Sequence, residues 1–279
     1  MARRAGPVRH PDDHAGRPCR DLQQRRGGGA ITAELDVARA IAREAGALAA
    51  RMRAAGVSVD RKPDGELVTD ADLAVSRLIV ARLRDAFPDD GIVSEEGADA
   101  PARADHERIW FVDPIDGSKA YAQGDAGYSV LIGLAERGRP VLGVVYQPEG
   151  DRMYAGAAGV GATLTEPGRP PRPLVCSTVA DVAQVRTTGP RFGSLALRLV
   201  QIAADLRDAF VYLAPRAKTW DTCAPEAIVR LAGGRFSDPL GRPLRYSPDQ
   251  DAHALGFIAS NGVAHDALLA RLAPLSGSR

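Results

Sequence analysis

The chain has 279 residues, with 36 Lys+Arg against 35 Asp+Glu and a formal net charge of +1. That balance excludes a protein that grips nucleic acid through a general basic field, and equally an acidic disordered tail. With 45% hydrophobic and 25% charged residues, the composition is that of a globular protein of one large or two small domains.

Residues 1–30 carry seven arginines against three aspartates, a net of +4, so residues 31–279 sum to −3. This segment holds Gly27-Gly28-Gly29 and almost no apolar periodicity, and reads as a disordered Arg/Gly-rich leader. It has no aromatic residue to stack on a base, so a nucleic-acid arm is the weaker reading. Leu35, Ala38, Ile41, Ala45, Leu48 and Met52 recur at helical spacing and predict a helix from Thr32 to Ala55. A second helix is predicted from Asp70 to the stop at Pro88. Ile109-Trp110-Phe111-Val112 reads as a buried strand. Tyr128–Ala135 and Pro140–Tyr146 read as a β-hairpin about Glu136-Arg137-Gly138-Arg139. The proline-rich stretch Pro167–Pro173 is a candidate boundary between an N-terminal half, 31–165, and a C-terminal half, 174–279. Beyond it helix (194–207), strand (209–213), helix (223–232), strand (255–259) and helix (262–272) alternate. The pattern predicts two α/β halves packed as layers.

No apolar run reaches the roughly 20 residues of a membrane helix, and the Arg-rich start lacks the apolar stretch of a secretory signal. Cys19, Cys176 and Cys223 are odd in number and far apart, which disfavours a disulfide framework and a zinc site. A cytoplasmic protein without a membrane partner is expected. Lysine occurs only at 62, 119 and 218, and we attribute the arginine bias to genome composition.

The most informative segment is Trp110-Phe111-Val112-Asp113-Pro114-Ile115-Asp116-Gly117-Ser118. Two carboxylates three residues apart follow a buried strand, and Pro114 and Gly117 shape the turn. Converging carboxylates are costly unless a cation neutralises them, and oxygen-only ligands suit a hard ion such as magnesium. The competing reading is an ordinary acidic surface turn. Three other segments place acids at strand ends or helix starts. Thr69-Asp70-Ala71-Asp72 also reads as a helix cap, Ser94-Glu95-Glu96-Gly97 as a solvated turn, and Asp221 before Pro225 as a second cap. Four such segments in one chain favour a shared site.

These pieces resemble, in order, the motifs of the inositol monophosphatase-like family of magnesium-dependent, lithium-sensitive phosphatases. They are Leu67-Val68-Thr69-Asp70-Ala71-Asp72, Ser94-Glu95-Glu96-Gly97, Trp110 to Ser118, and Trp220-Asp221-Thr222-Cys223-Ala224-Pro225-Glu226. A fifth, Gly193-Ser194 with Leu197-Arg198 and Asp208-Ala209-Phe210, matches a substrate-loop and helix pattern. The resemblance covers roughly residues 31–273. It implies a layered αβαβα sandwich, like that shared with fructose-1,6-bisphosphatases, and two or three Mg²⁺ ions. Glu95, Asp113 and the Ile115 carbonyl would hold one ion, and Asp113, Asp116 and Asp221 another. A third, weaker ion would lie near Glu95. Asp72 and Ser118 would polarise the attacking water, with Glu96 supporting them. The Gly117 and Ser118 amides would bind phosphate oxygens, and Gly193 and Ser194 would line the leaving-group side. None of the five histidines lies within a motif, so a covalent phosphohistidine step is not expected, and Cys223 reads as a packing residue.

Inositol-preferring members generally place a glutamate seven residues before the Trp-Asp aspartate; here that residue is Ala214. Asp116-Gly117-Ser118-Lys119 and Trp220-Asp221-Thr222-Cys223-Ala224-Pro225-Glu226 look like the 3′(2′),5′-bisphosphate nucleotidase branch, although Ala120 and Ser118 depart from its usual acid and threonine. The expected activity is hydrolysis of 3′-phosphoadenosine 5′-phosphate to AMP. Lys119, and more weakly Arg216 and Lys218, are candidates for the second phosphate. Inositol-1-phosphate or another sugar phosphate is the alternative substrate, and a non-catalytic metal- or nucleotide-binding relative is a further reading. Dimers are common in the family, but no sequence feature here requires one.

Overall fold

The structure, a computed structural model, describes residues 28–62, 65, 67–97 and 106–276. The long helix α1 (Gly28–Ala55) is followed by a small hairpin of β1 (Val59–Arg61) and β2 (Leu67–Thr69), then by α2 (Asp70–Ala86). Next come β3 (Gly91–Ser94), β4 (Arg108–Asp116) and the short α3 (Ser118–Ala122). A meander follows: β5 (Ser129–Glu136), β6 (Arg139–Gln147), β7 (Arg152–Ala157), β8 (Gly161–Thr165) and β9 (Arg172–Pro173). The chain closes with α4 (Leu195–Ala203), β10 (Ala209–Tyr212), α5 (Thr219–Leu231), β11 (Arg235–Ser237), β12 (Phe257–Ser260) and α6 (His265–Ser276). Strands β3 to β9 form one seven-stranded sheet in sequence order, antiparallel except for β3 with β4. Strands β10, β12 and β11 form a second, antiparallel sheet of three.

Side-chain alternation along β4 explains the layering. Trp110 and Val112 face a core shared with Ile41 and Ala45 of α1 and with Val75 and Ile79 of α2. Ile109 and Phe111 face a second core, shared with Leu199 and Val200 of α4 and with Ala224 and Ile228 of α5. A strand buried on both faces needs a continuous apolar run, which is what 109–112 supplies. The three-stranded sheet covers the other side of α4 and α5, and Ala264, just before α6, and Leu268 within it pack against Ala209 of β10. The result is α1α2, sheet, α4α5, sheet, α6, the five-layer α/β sandwich expected.

Helix α5 lies unusually close to the large sheet. Gly133 and Gly143 are cross-strand partners on β5 and β6. A Cβ on Gly143 would stand 2.1 Å from the Ala224 carbonyl oxygen, and one on Gly133 would stand 2.8 Å from the Ala224 amide nitrogen. The two glycines form a flat seat that brings the helix backbone against the strands.

Several boundaries differ from the sequence reading. Helix α1 begins at Gly28, inside the segment read as leader; residues 1–27 lie outside the described residues. Helix α5 begins at Thr219 rather than 223, and Pro225 lies within it. Helix α4 stops at Ala203, where Asp205 takes a positive φ of 58° and turns the chain toward β10. The two proposed halves share the core between β4–β6 and α4–α5, so the loop at 167–173 does not separate two cores. Cys176 and Cys223 are both buried.

Candidate active site

The acids gather where β3, β4 and the starts of α2, α4 and α5 meet. The local fold of Asp113-Pro114-Ile115-Asp116 is decisive. Residues three apart on a regular strand point to opposite faces. Here Asp113 pairs with Leu131 and Asp116 with Ser129, so β4 carries one residue more than β5. The extra residue is a β-bulge, which restores both carboxylates to one face and lets Ile115 enter the opposite core. Gly117 then adopts a left-handed φ of 93°, and its missing Cβ leaves room for the Ser194 amide, which would otherwise be 2.8 Å away.

Asp113 is the hub. It is 2% exposed, and its carboxyl is pushed well above the usual range, first by burial and then by repulsion from Glu95, Asp116, Asp221 and Asp72. Its hydrogen bond comes from within its own turn, the Ile115 amide at 3.0 Å. Each surrounding acid is held by a separate protein donor. Asp72 accepts from the Thr69 amide (2.7 Å) and hydroxyl (2.6 Å), closing a capping box at the start of α2, and from the Ser118 hydroxyl (3.0 Å). The Ser118 hydroxyl also lies 3.0 Å from the Ile115 carbonyl. Asp116 accepts from the Ser194 hydroxyl and from the Leu195 and Ala196 amides at the start of α4. Asp221 accepts from the Lys218 amide at 2.8 Å, capping α5. The cap readings and the shared-site reading of these acids are therefore compatible. Burial raises the carboxyls of Asp72 and Asp116 as well.

Glu95 and Glu96 are bridged by a cation that lies outside every motif. The Lys62 ammonium lies 2.7 Å from Glu95 Oε1 and 2.5 Å from Glu96 Oε1. Burial drives the Glu95 carboxyl up to about 7 despite this lysine. The available signal was composition: a lysine in a chain that otherwise uses arginine, suited as a compact point charge to insert between two carboxylates. Of the other substrate candidates, Gly193 is packed against Ala120, and Ser194 is buried on Asp116. Lys119 and Arg216 are exposed, and Lys218 lies over the Trp220 ring at 5.7 Å. Arg198 is nearer the acids. Its guanidinium donates to the Ser194 carbonyl at 3.2 Å, lies 5.6 Å from the Phe210 ring centre, and its charge opposes the rise at Asp116.

Among the described residues, no three His, Cys, Asp or Glu side chains are drawn into a closed metal cage. The acids share one electrostatic neighbourhood, each turned toward its own donor. The donor set nonetheless fits a hard divalent cation. It is all oxygen, it repels itself, and the buried Asp113 carboxylate at its centre has no cation bonded to it among the described residues.

A sequence profile of the inositol monophosphatase family matches residues 32–182 and 177–276, and the chain belongs to that family. Within it, the chain is 31% identical over 225 residues to the 3′(2′),5′-bisphosphate nucleotidase CysQ of Escherichia coli K12, covering 73% of this chain and 89% of that one. It is also 31% identical over 252 residues to the histidinol-phosphatase of Mycobacterium tuberculosis, covering 80% and 90%. The inositol monophosphatase structure from Anabaena superposes with a TM-score of 0.70 at 26% identity, over 88% of this chain and 96% of that one. The protein is thus a phosphatase, a hydrolase of small phosphorylated substrates, in a family that is metal-dependent and generally uses Mg²⁺. No described helix is long and apolar enough to cross a membrane.

Proposed function

We propose that the chain is a magnesium-dependent 3′(2′),5′-bisphosphate nucleotidase that converts 3′-phosphoadenosine 5′-phosphate to AMP and phosphate. Asp113 and Asp116, with Glu95, the Ile115 carbonyl and Asp221, would hold two or three Mg²⁺ ions. When bound, these ions would supply the positive charge that a phosphate dianion needs and would lower the pKa of water. The chain's own groups do the rest. Ser118, hydrogen-bonded to Asp72, orients the attacking water and passes its proton toward that carboxylate, whose raised affinity for protons suits a base. Glu96 fixes Lys62 beside Glu95. The Gly117 and Ser118 amides bind the phosphate oxygens, and Gly193-Ser194 walls the leaving-group side.

The observation that carries the substrate choice is Arg198. It is a half-buried guanidinium in no direct ion pair among the described residues, held at the Ser194 edge of the acids, where its charge acts on Asp116. A substrate with one phosphate has no use for a second fixed cation there, whereas a bisphosphate does. Neither Tyr212 nor Ala214 offers a carboxylate for inositol hydroxyls on the neighbouring strand end. Magnesium-dependent phosphate release should be compared on 3′-phosphoadenosine 5′-phosphate, inositol-1-phosphate, histidinol phosphate, fructose-1,6-bisphosphate and NADP. The bisphosphonucleotide should give the highest kcat/KM. Arg198→Gln should raise its KM about tenfold, equivalent to roughly 1.4 kcal/mol, and leave inositol-1-phosphate hydrolysis nearly unchanged. A preference for inositol-1-phosphate or histidinol phosphate would overturn the assignment.

A further inference from the structure

Behind Asp116 a hydroxyl relay runs through Ser194 to Ser129, a residue outside every motif. Ser194 Oγ lies 2.6 Å from Asp116 Oδ2, 2.9 Å from the Leu197 amide and 2.9 Å from Ser129 Oγ. A serine hydroxyl has one proton to donate and two lone pairs to accept with. The Leu197 amide can only donate to Ser194, and the Asp116 carboxylate takes the Ser194 proton. The remaining Ser194 lone pair must therefore receive the Ser129 hydroxyl proton. With all its capacity used, the Ser194 hydroxyl has no freedom to rotate. Ser129 and Ser194 are both 0% exposed, so no solvent molecule can substitute for either.

Ser129 reaches this position because of the bulge. It is the cross-strand partner of Asp116, directly after the point where β4 takes its extra residue. The two Asp116 oxygens are unequally loaded as a result. Oδ2 takes the Ser194 hydroxyl and the Ala196 amide, while Oδ1 takes only the Leu195 amide, at a longer 3.1 Å. Outer partners of a ligating carboxylate fix its orientation and commonly govern metal affinity.

We infer that Ser129 is a positioning residue: through Ser194 it pins Asp116 Oδ2 to the start of α4 and so presents Oδ1 to a divalent cation. This rests on the metal-site reading above.

The test is Mg²⁺ binding to the full chain by calorimetry, with thermal melting in EDTA as a control for folding. Wild type, Ser129→Ala and Ser129→Thr should be compared. Removing the hydroxyl should weaken the affinity for Mg²⁺ about 10–100-fold, while the EDTA melt falls by no more than the loss of one buried hydrogen bond produces. The threonine variant keeps the donor and should stay within a few-fold of wild type. If alanine lowers only the EDTA melting temperature and leaves the Mg²⁺ affinity unchanged, Ser129 is a packing residue and the inference fails. If threonine binds Mg²⁺ as poorly as alanine while melting like wild type, the hydroxyl is not the cause and the inference also fails. In both of those cases wild type still binds Mg²⁺ and the phosphatase reading stands. Absence of Mg²⁺ binding by wild type would remove both this inference and the metal-site reading.

Discussion

At the scale of single residues, Asp113 sets the energetics. Its carboxylate is buried among four others, so its charge is unfavourable until a cation arrives. Asp113→Asn keeps the shape and removes the charge. Without metal, the variant should be more stable than wild type by about 1–3 kcal/mol, because a buried, poorly compensated charge is gone. With Mg²⁺ the order should reverse, and turnover should fall at least about 10³-fold. Melting curves in EDTA and in Mg²⁺, with phosphate-release rates, check both parts; an Asn variant that is less stable in EDTA would contradict the charge argument. The acids that gather here were legible in the sequence as candidates, because Asp113 and Asp116 end an apolar run and the others follow a strand or begin a helix. The role of Lys62 was not. It approaches Glu95 from 33 positions away in the chain, and Glu96 beside it, and only the placement of the β1–β2 hairpin brings it there.

At the scale of elements, the site depends on how α5 is seated. This helix carries Asp221 at its first turn, and its interior Pro225 removes the helical hydrogen bond that the Asp221 carbonyl would accept. The helix lies on the Gly133–Gly143 seat, where its backbone meets the sheet. Gly143→Ala would force a methyl against the Ala224 carbonyl. The expected cost is about 3 kcal/mol, read as a lower urea midpoint with unchanged slope. Activity should fall further than the folded fraction, since α5 must lift and take Asp221 with it. Full activity in the folded variant would show that α5 tolerates the shift. Helix α5 itself was read four residues late from sequence, because Pro225 looks like a first-turn proline. The actual cap is the Lys218 backbone with Asp221 at the third position. Strands β7 and β8 carry a weak apolar pattern and went unread, since their stability comes from meander pairing rather than from local preference.

At the scale of the whole molecule, the histidines report how tightly the layers close. His265 lies between the Ser237 and Ser260 hydroxyls at 2.9 and 2.8 Å, and burial pushes it down to about 4. His253 bonds Thr222 at 2.7 Å and is pushed down to about 4 by the same cause. The unfolded chain protonates histidine near 6.5. Below that pH the unfolded state binds protons that the folded state refuses. Stability from each neutral histidine is therefore complete above pH 6.5 and is lost as pH falls toward 4. The loss is about 1.4 kcal/mol per pH unit, or roughly 3 kcal/mol for each histidine. The stability difference between wild type and His265→Asn should shrink by that amount from pH 7 to pH 4 in denaturant titrations. A difference independent of pH would mean that His265 takes up its proton as readily in the folded chain as in the unfolded one.

The sequence by itself determined the family and, through that resemblance, the layered fold and the candidate acids of the site. These rest on short-range facts: which residues follow an apolar run, which sit at a helix start, and how far apart they are in the chain. Only the tertiary structure decided which of those residues come together. The bulge that turns Asp113 and Asp116 to one face, the Lys62 bridge, the Ser129 relay and Arg198 beside Asp116 all join segments far apart in sequence. Their contacts are fixed by register and layer packing, and an overall charge of +1 averages them away.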